Sequence, residues 1–85
     1  MNKKTSRMTK MKYRLRGGDL IVAASAADFL HQLHVGSRFD HEGTDTEYMQ
    51  RFAHRLEELE GYLVRTDTPA HFLTDLIERG VAWVE

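Results

Sequence analysis

The chain has 85 residues and a formal net charge of −1. Its composition, with 41% hydrophobic and 29% charged residues, is typical of one small globular domain with a modest core. It contains no cysteine, which excludes disulfides, zinc–thiolate sites and a cysteine nucleophile and favours the reducing cytoplasm. The longest uncharged apolar run, Leu20 to Ala24, is too short to cross a bilayer and too short for a signal peptide, so we expect a soluble, cytoplasmic protein that does not enter membranes.

Positive charge is concentrated at the start of the chain. Residues 1–16 contain seven Lys or Arg and no acid, whereas residues 17–85 contain five Lys or Arg against thirteen Asp or Glu, a net charge of −8. We expect residues 1–10 to form a basic, disordered arm, because they show no apolar periodicity. The arm is either a tail that binds phosphates by counterion release or a leader that precedes a start at Met11, and the second interpretation is favoured.

Residues 11–24 are predicted to form a β-hairpin. Apolar residues alternate with basic residues from Met11 to Arg16, which is the period of a half-buried strand. Gly17 and Gly18 can both adopt the positive φ angles of a tight turn, after which residues 20–24 supply the returning strand. The alternation places three basic side chains on one face of the hairpin: Lys12, Arg14 and Arg16.

Three helices are predicted after the hairpin, each with one apolar stripe. They span about 26–35, about 45–60 and from Pro69 to a stop at Gly80. Their predicted N-caps are Ser25, Thr44 and Thr68, and Glu47 completes a capping-box spacing with Thr44. Because each helix carries a single apolar stripe, we expect all three to cover one face of a sheet.

Two short strands, Tyr62 to Thr66 and Val81 to Val84, complete the prediction. The fold class is α+β: a small mixed sheet of about four strands with three helices on one face, in the order ββααβαβ, within a single domain over residues 11–85. A weak internal repeat supports two similar β-α units, since residues 20–33 and 63–76 share five identities over fourteen positions. The helix-free face would present four basic residues to a partner: Lys12, Arg14, Arg16 and Arg65.

No motif in the sequence identifies an active site or a metal site. His31 and His34 have a helical spacing that can share a metal, but the further donors, Asp40 to Glu42, lie in the next loop and match no known metal motif. The same Asp40-His41-Glu42 run could serve acid–base chemistry, yet no nucleophile motif or phosphate-binding loop accompanies it. We therefore predict no enzyme, no cofactor and no metal, and we interpret both helical histidines as solvated.

Basic and aromatic side chains on the predicted helices and strands give no stronger functional signal. Arg51 and Arg55 could bind phosphate, but Glu47 and Glu58 at helical spacing would neutralise them. Trp83 could stack on a base or anchor a partner, although packing is the favoured interpretation of an aromatic on a strand in so small a core.

We expect a small non-enzymatic accessory or interaction protein. It would bind another protein, or itself as a homodimer, through a sheet edge or the helix-free face, because edge strands leave N–H and C=O groups that pairing across a two-fold axis can satisfy. The alternative is nucleic-acid binding through the basic arm and the hairpin face. The net charge of −8 on residues 17–85 opposes that alternative, because it repels phosphates.

Overall fold

A β-hairpin forms the first part of the fold. In the computed structural model, which describes residues 10–37 and 40–85, strands β1 (Met11–Leu15) and β2 (Leu20–Ala23) pair antiparallel. The turn between them is tight because Gly18 adopts a φ of 101°, which residues with a side chain rarely adopt. The predicted hairpin is thereby confirmed, whereas the predicted arm lies outside the described residues apart from Lys10.

Three helices follow the hairpin, and each begins at the N-cap that the sequence predicts. They are α1 (Ala26–Val35), α2 (Asp45–Glu60) and α3 (Pro69–Glu78). At the start of α2, the Glu47 amide donates to the Thr44 hydroxyl at 3.1 Å and the Thr44 amide donates to the Glu47 carboxylate at 3.0 Å. These two bonds complete the predicted capping box. No helix within the described residues is long and apolar enough to span a bilayer.

The described sheet has three strands instead of about four, and it is antiparallel instead of mixed. Strand β3 (Ala82–Val84) pairs with β1, so the strand order is β2-β1-β3. The predicted strand Tyr62–Thr66 joins no ladder of this sheet; the segment precedes α3 in the chain, and its Arg65 amide donates to the Asp75 carboxylate of α3 at 2.8 Å. The predicted order ββααβαβ is therefore corrected to ββαααβ, and the second half of the internal repeat has its helix but not its strand.

One hydrophobic core joins the inner face of the sheet to all three helices. The hairpin contributes Tyr13, Leu15, Ile21 and Ala23, and the helices contribute Phe29, Met49, Phe72 and Leu76, which are the largest fully buried side chains. Helix α1 contacts β2, α3 contacts β3, and α2 contacts α1. No helix of the described residues covers the opposite face of the sheet, and the side chains there are accessible.

Candidate interaction surface

The helix-free side of the sheet forms a surface that we name the outer face. Because side chains alternate along a strand, the residues between the buried positions of each strand point to this side. The register of the three strands then sets two rows across the sheet. The rows are Leu20, Arg14 and Trp83, followed by Val22, Lys12 and Glu85.

Large apolar side chains on the outer face remain exposed to solvent. Leu20 is 45% exposed, Val22 is 41% exposed and Trp83 is 43% exposed. They lie on the two outer strands, so they flank the basic side chains of β1 from both sides. A single exposed apolar residue is ordinary, but three on one sheet face around a basic centre are typical of a protein-binding surface.

Arg14 forms an ion pair on the outer face with the carboxylate of Glu85. Its Nε and Nη2 atoms donate to the two Glu85 carboxylate oxygens at 2.7 and 2.9 Å, and its Nη1 donates to the Gly18 carbonyl at 2.9 Å. The hydrogen bonds from Arg14 lower the pKa of the Glu85 carboxyl, so both groups are charged and compensate each other. Within the described residues Lys12 forms no close ion pair, although its charge also lowers the pKa of the Glu85 carboxyl, which lies opposite it in the register.

The other two predicted partner-binding residues lie elsewhere. The Arg16 guanidinium is directed to the end of α2, where its Nη1 atom lies 3.5 Å from Glu60 Oε2. Its central carbon, Cζ, lies 5.8 Å from the centroid of the Tyr62 ring. Arg65 lies beside α3, where its Nε and Nη2 atoms donate to Asp75 at 3.0 and 2.9 Å. The structure therefore brings Lys12 and Arg14 together on the outer face, and it places Arg65 away from them.

Within the described residues, β2 and β3 each pair with β1 and with no further strand. The Leu15 amide donates to the Asp19 carbonyl at 2.8 Å. In an antiparallel pair, hydrogen-bonded and non-hydrogen-bonded residues alternate, so this bond determines which residues of β2 direct their backbone groups towards β1. By that alternation the backbone groups of Leu20 and Val22 point away from β1. A cleft of about 260 Å³ lies beside this edge, between β2 and α1, with Leu33 on its helical wall. The edge of β2 can therefore be approached by an extended segment.

The outer face was only partly predictable. Lys12 and Arg14 were found from the alternation in β1, but the apolar run from Leu20 to Ala23 shows no polar alternation and so hides which of its residues point outward. The register that a Gly17-Gly18 turn imposes is the signal that could have placed Leu20 and Val22 opposite the basic residues.

The two helical histidines meet an acid of α2 and not a metal-binding set. The prediction that both are solvated is wrong for His34, which is only 4% exposed. Its Nδ1 atom lies 2.7 Å from Asp45 Oδ1 and its Nε2 atom lies 3.1 Å from the Glu42 carbonyl oxygen, while His31 Nδ1 lies 3.1 Å from Asp45 Oδ2. Across residues 10–37 and 40–85, no three His, Asp or Glu side chains are arranged to hold a metal ion.

The surroundings of the His34 ring favour its doubly protonated form. Both the Asp45 carboxylate and the Glu42 carbonyl are acceptors, and only a ring that donates from both nitrogens satisfies both contacts. The hydrogen bond with Asp45 raises the pKa of His34, and the ring also stacks on Tyr48 with centroids 4.8 Å apart. His34 therefore joins α1 to the start of α2 as a structural ion pair.

Arg51 and Arg55 are neutralised, but by a different acid from the ones predicted. Arg51 Nε donates to Asp40 Oδ1 at 2.9 Å and Arg55 Nη1 donates to Asp40 Oδ2 at 3.0 Å. These hydrogen bonds lower the pKa of the Asp40 carboxyl. Asp40 thus ties its loop to α2, and Arg51 gives its Nε and Nη2 atoms to Asp40 and to the Glu42 carbonyl, whereas Arg55 is joined to Asp40 through Nη1 alone.

Comparison of the chain with protein-family models, with curated proteins and with solved structures gives no match. The function is therefore assigned from the residues and distances of the outer face.

Proposed function

We propose that the protein is a non-enzymatic interaction module that binds another protein through the outer face of its sheet. The observation that supports this proposal is the exposure of Leu20, Val22 and Trp83 around the basic centre of β1. Removing apolar surface from water gains about 25 cal/mol per Å². A partner that covers these three side chains gains most of its affinity from them.

The charges of the outer face define the partner further. Trp83 is the residue type most often found as an energetic anchor in protein interfaces, so we assign it the central apolar contact. The Glu85 carboxylate opposite Lys12 is already bonded to Arg14, so a partner that buries Lys12 should offer it a further carboxylate, because burial of an unpaired ammonium is costly. The partner is thus a protein surface that carries apolar side chains next to one Asp or Glu.

Nucleic-acid binding, the alternative, has less support from the same surface. A phosphate backbone is bound by free cationic groups, and Arg14 already gives its Nε and Nη2 donors to Glu85. Three exposed apolar side chains add little to phosphate binding. The experiment below separates the two functions.

The test is affinity purification of the tagged protein from a lysate of its own host, with and without nuclease. We expect a co-purifying protein that nuclease does not release, and we expect Val22→Asp to lower its affinity at least about tenfold, which equals about 1.4 kcal/mol. Val35→Asp is the matched control, because Val35 is 54% exposed at the end of α1, which lies on the helical side of the sheet and not on the outer face. Far-ultraviolet dichroism checks that both variants fold.

Two results would contradict the proposal. Loss of every retained partner after nuclease treatment would favour the nucleic-acid alternative. Equal retention of the partner by Val22→Asp and Val35→Asp would place the binding surface away from the outer face.

A further inference from the structure

The segment Tyr62–Thr66 has the character of a strand without a strand partner. Tyr, Val and Thr are among the residues most enriched in strands, and the exposure of the segment alternates with period two. Tyr62 and Val64 pack against the core, whereas Leu63 and Arg65 are exposed. In the part of the chain that the structure describes, no ladder joins this segment to β1, β2 or β3.

One side of this segment is occupied and the other is open. The Arg65 amide faces α3, where it donates to Asp75 at 2.8 Å. In an extended chain the neighbouring amides, those of Val64 and Thr66, face the opposite way. On that side a shallow groove of about 310 Å³ separates the segment from α2, with Ala53 on its helical wall. The Tyr62 amide on that side donates to the Leu56 carbonyl at 3.4 Å, so the Val64 and Thr66 amides are the donors that another strand can reach.

Exposed leucines flank the open backbone. Leu59 in the last turn of α2 is 79% exposed and Leu63 is 68% exposed, the two highest values among the exposed large apolar residues that the structure describes. The segment thus combines unpaired backbone groups with highly exposed apolar side chains. A neighbouring strand would supply hydrogen bonds to the backbone and would remove the apolar side chains from water.

We propose that the protein forms a homodimer in which Tyr62–Thr66 pairs antiparallel with the same segment of a second copy. The two-fold axis passes through Val64, so Tyr62 lies opposite the partner's Thr66 and Leu63 lies opposite the partner's Arg65. Such a pairing is self-complementary, because each copy supplies the same donors and acceptors to the other. This interface is separate from the outer face, and the dimer does not depend on the function proposed above.

The charges at the end of α2 and at the start of α3 favour a second copy of the chain as the partner of this segment. Helix α2 ends in Glu57, Glu58 and Glu60 with no basic residue in its last turn, although His54 and Arg16 partly balance the last two glutamates. Acids are unfavourable at the negative end of a helix dipole. Helix α3 begins with no acid in its first turn, and the preceding Asp67 is paired with His71 at 2.9 Å. Antiparallel pairing brings the acidic end of each α2 towards the positive end of the partner's α3.

The register gives a test by charge at a single exposed position. Like charges directly opposite each other destabilise a strand pair and opposite charges stabilise it. Leu63→Lys should therefore weaken the dimer at least about tenfold relative to Leu63→Glu, a difference of about 1.4 kcal/mol. Both substitutions remove the same apolar side chain, so loss of hydrophobic contact cannot explain the difference. Leu20→Lys, on the outer face, should leave the dimer unchanged.

The measurement is sedimentation equilibrium over about a hundredfold range of protein concentration, because dimerisation follows mass action. Hydrogen exchange of the Val64 and Thr66 amides should slow as the concentration rises. Melting temperatures at low concentration should be the same for both Leu63 variants, since Leu63 makes no core contact. A wild-type chain that stays monomeric throughout, or a dimer that Leu63→Lys and Leu63→Glu weaken equally, would overturn the proposal.

Discussion

Asp75 is the acid whose removal should most affect the stability of the fold. It is only 8% exposed, and its carboxylate accepts the Arg65 backbone amide at 2.8 Å and the Arg65 side chain at 3.0 and 2.9 Å. These hydrogen bonds lower the pKa of Asp75 from 3.8 to about 2, with the side chain of Arg65 as the largest cause. Substitution by Asn removes the charge and turns an amide donor towards the guanidinium.

The expected magnitude follows from the pKa difference. A change from 3.8 to about 2 corresponds to about 2–3 kcal/mol of stability at pH 7. The Arg65 side chain is 52% exposed, so solvent screens part of this interaction, and we expect Asp75→Asn to lose about 1–2 kcal/mol. Because the folded pKa is depressed, the stabilisation is present above pH 3.8 and is lost as the pH falls through about 2.

Urea unfolding followed by far-ultraviolet dichroism measures this effect at pH 7 and at steps of decreasing pH. The wild type should lose its advantage over Asp75→Asn between about pH 4 and about pH 2. Asp67→Asn is the control, because that side chain is 62% exposed, so the substitution should change stability less than Asp75→Asn does. Equal stability of wild type and Asp75→Asn at pH 7, or parallel losses of both in acid, would refute the reasoning.

The remaining predictions concern the core and the buried histidine. Phe29→Ala and Phe72→Ala should each lower the free energy of unfolding by about 3–5 kcal/mol in urea titrations, since both rings are 0% exposed, and a loss below about 1 kcal/mol would contradict their core position. The raised pKa of His34 stabilises the fold below about pH 6.5, and this contribution is lost as the pH rises through the folded value. Asp45 faces the ring and is shared with His31, so His34→Gln should flatten the alkaline decline measured by urea unfolding, and an unchanged slope would contradict the imidazolium.

The helices could be predicted closely because their signals are local. Ser25, Thr44 and Thr68 each accept a hydrogen bond from the amide three residues ahead, at 3.0, 3.1 and 3.1 Å, and such bonds depend only on neighbouring residues. The hairpin turn could be predicted for the same reason, since it depends on the neighbouring residues Gly17 and Gly18. The periodicity of the apolar stripes then indicated which helix faces enter the core.

The predicted fourth strand, which the described sheet lacks, shows that local sequence patterns are not sufficient to predict strand pairing. Tyr62 to Thr66 has the composition of a strand, but a ladder also needs a neighbour, and the neighbour is decided by how the rest of the chain packs. Here Asp75 is buried ten residues further along the chain and takes the Arg65 amide. The same reason explains why the burial of His34 was missed, since its partner Asp45 belongs to the next helix.

The linear distribution of charge overstates the positive charge of the hairpin. The basic block of the sequence includes Arg14 and Arg16, yet in the fold they meet Glu85 and Glu60, acids that are distant in the chain. Folding therefore brings acids from the body of the chain to its basic start, and among the described residues of the outer face Lys12 is the cation without a close ion pair. The association that we propose for this face should consequently depend on apolar contact with the exposed side chains of β2 and β3 more than on long-range attraction, which salt would screen.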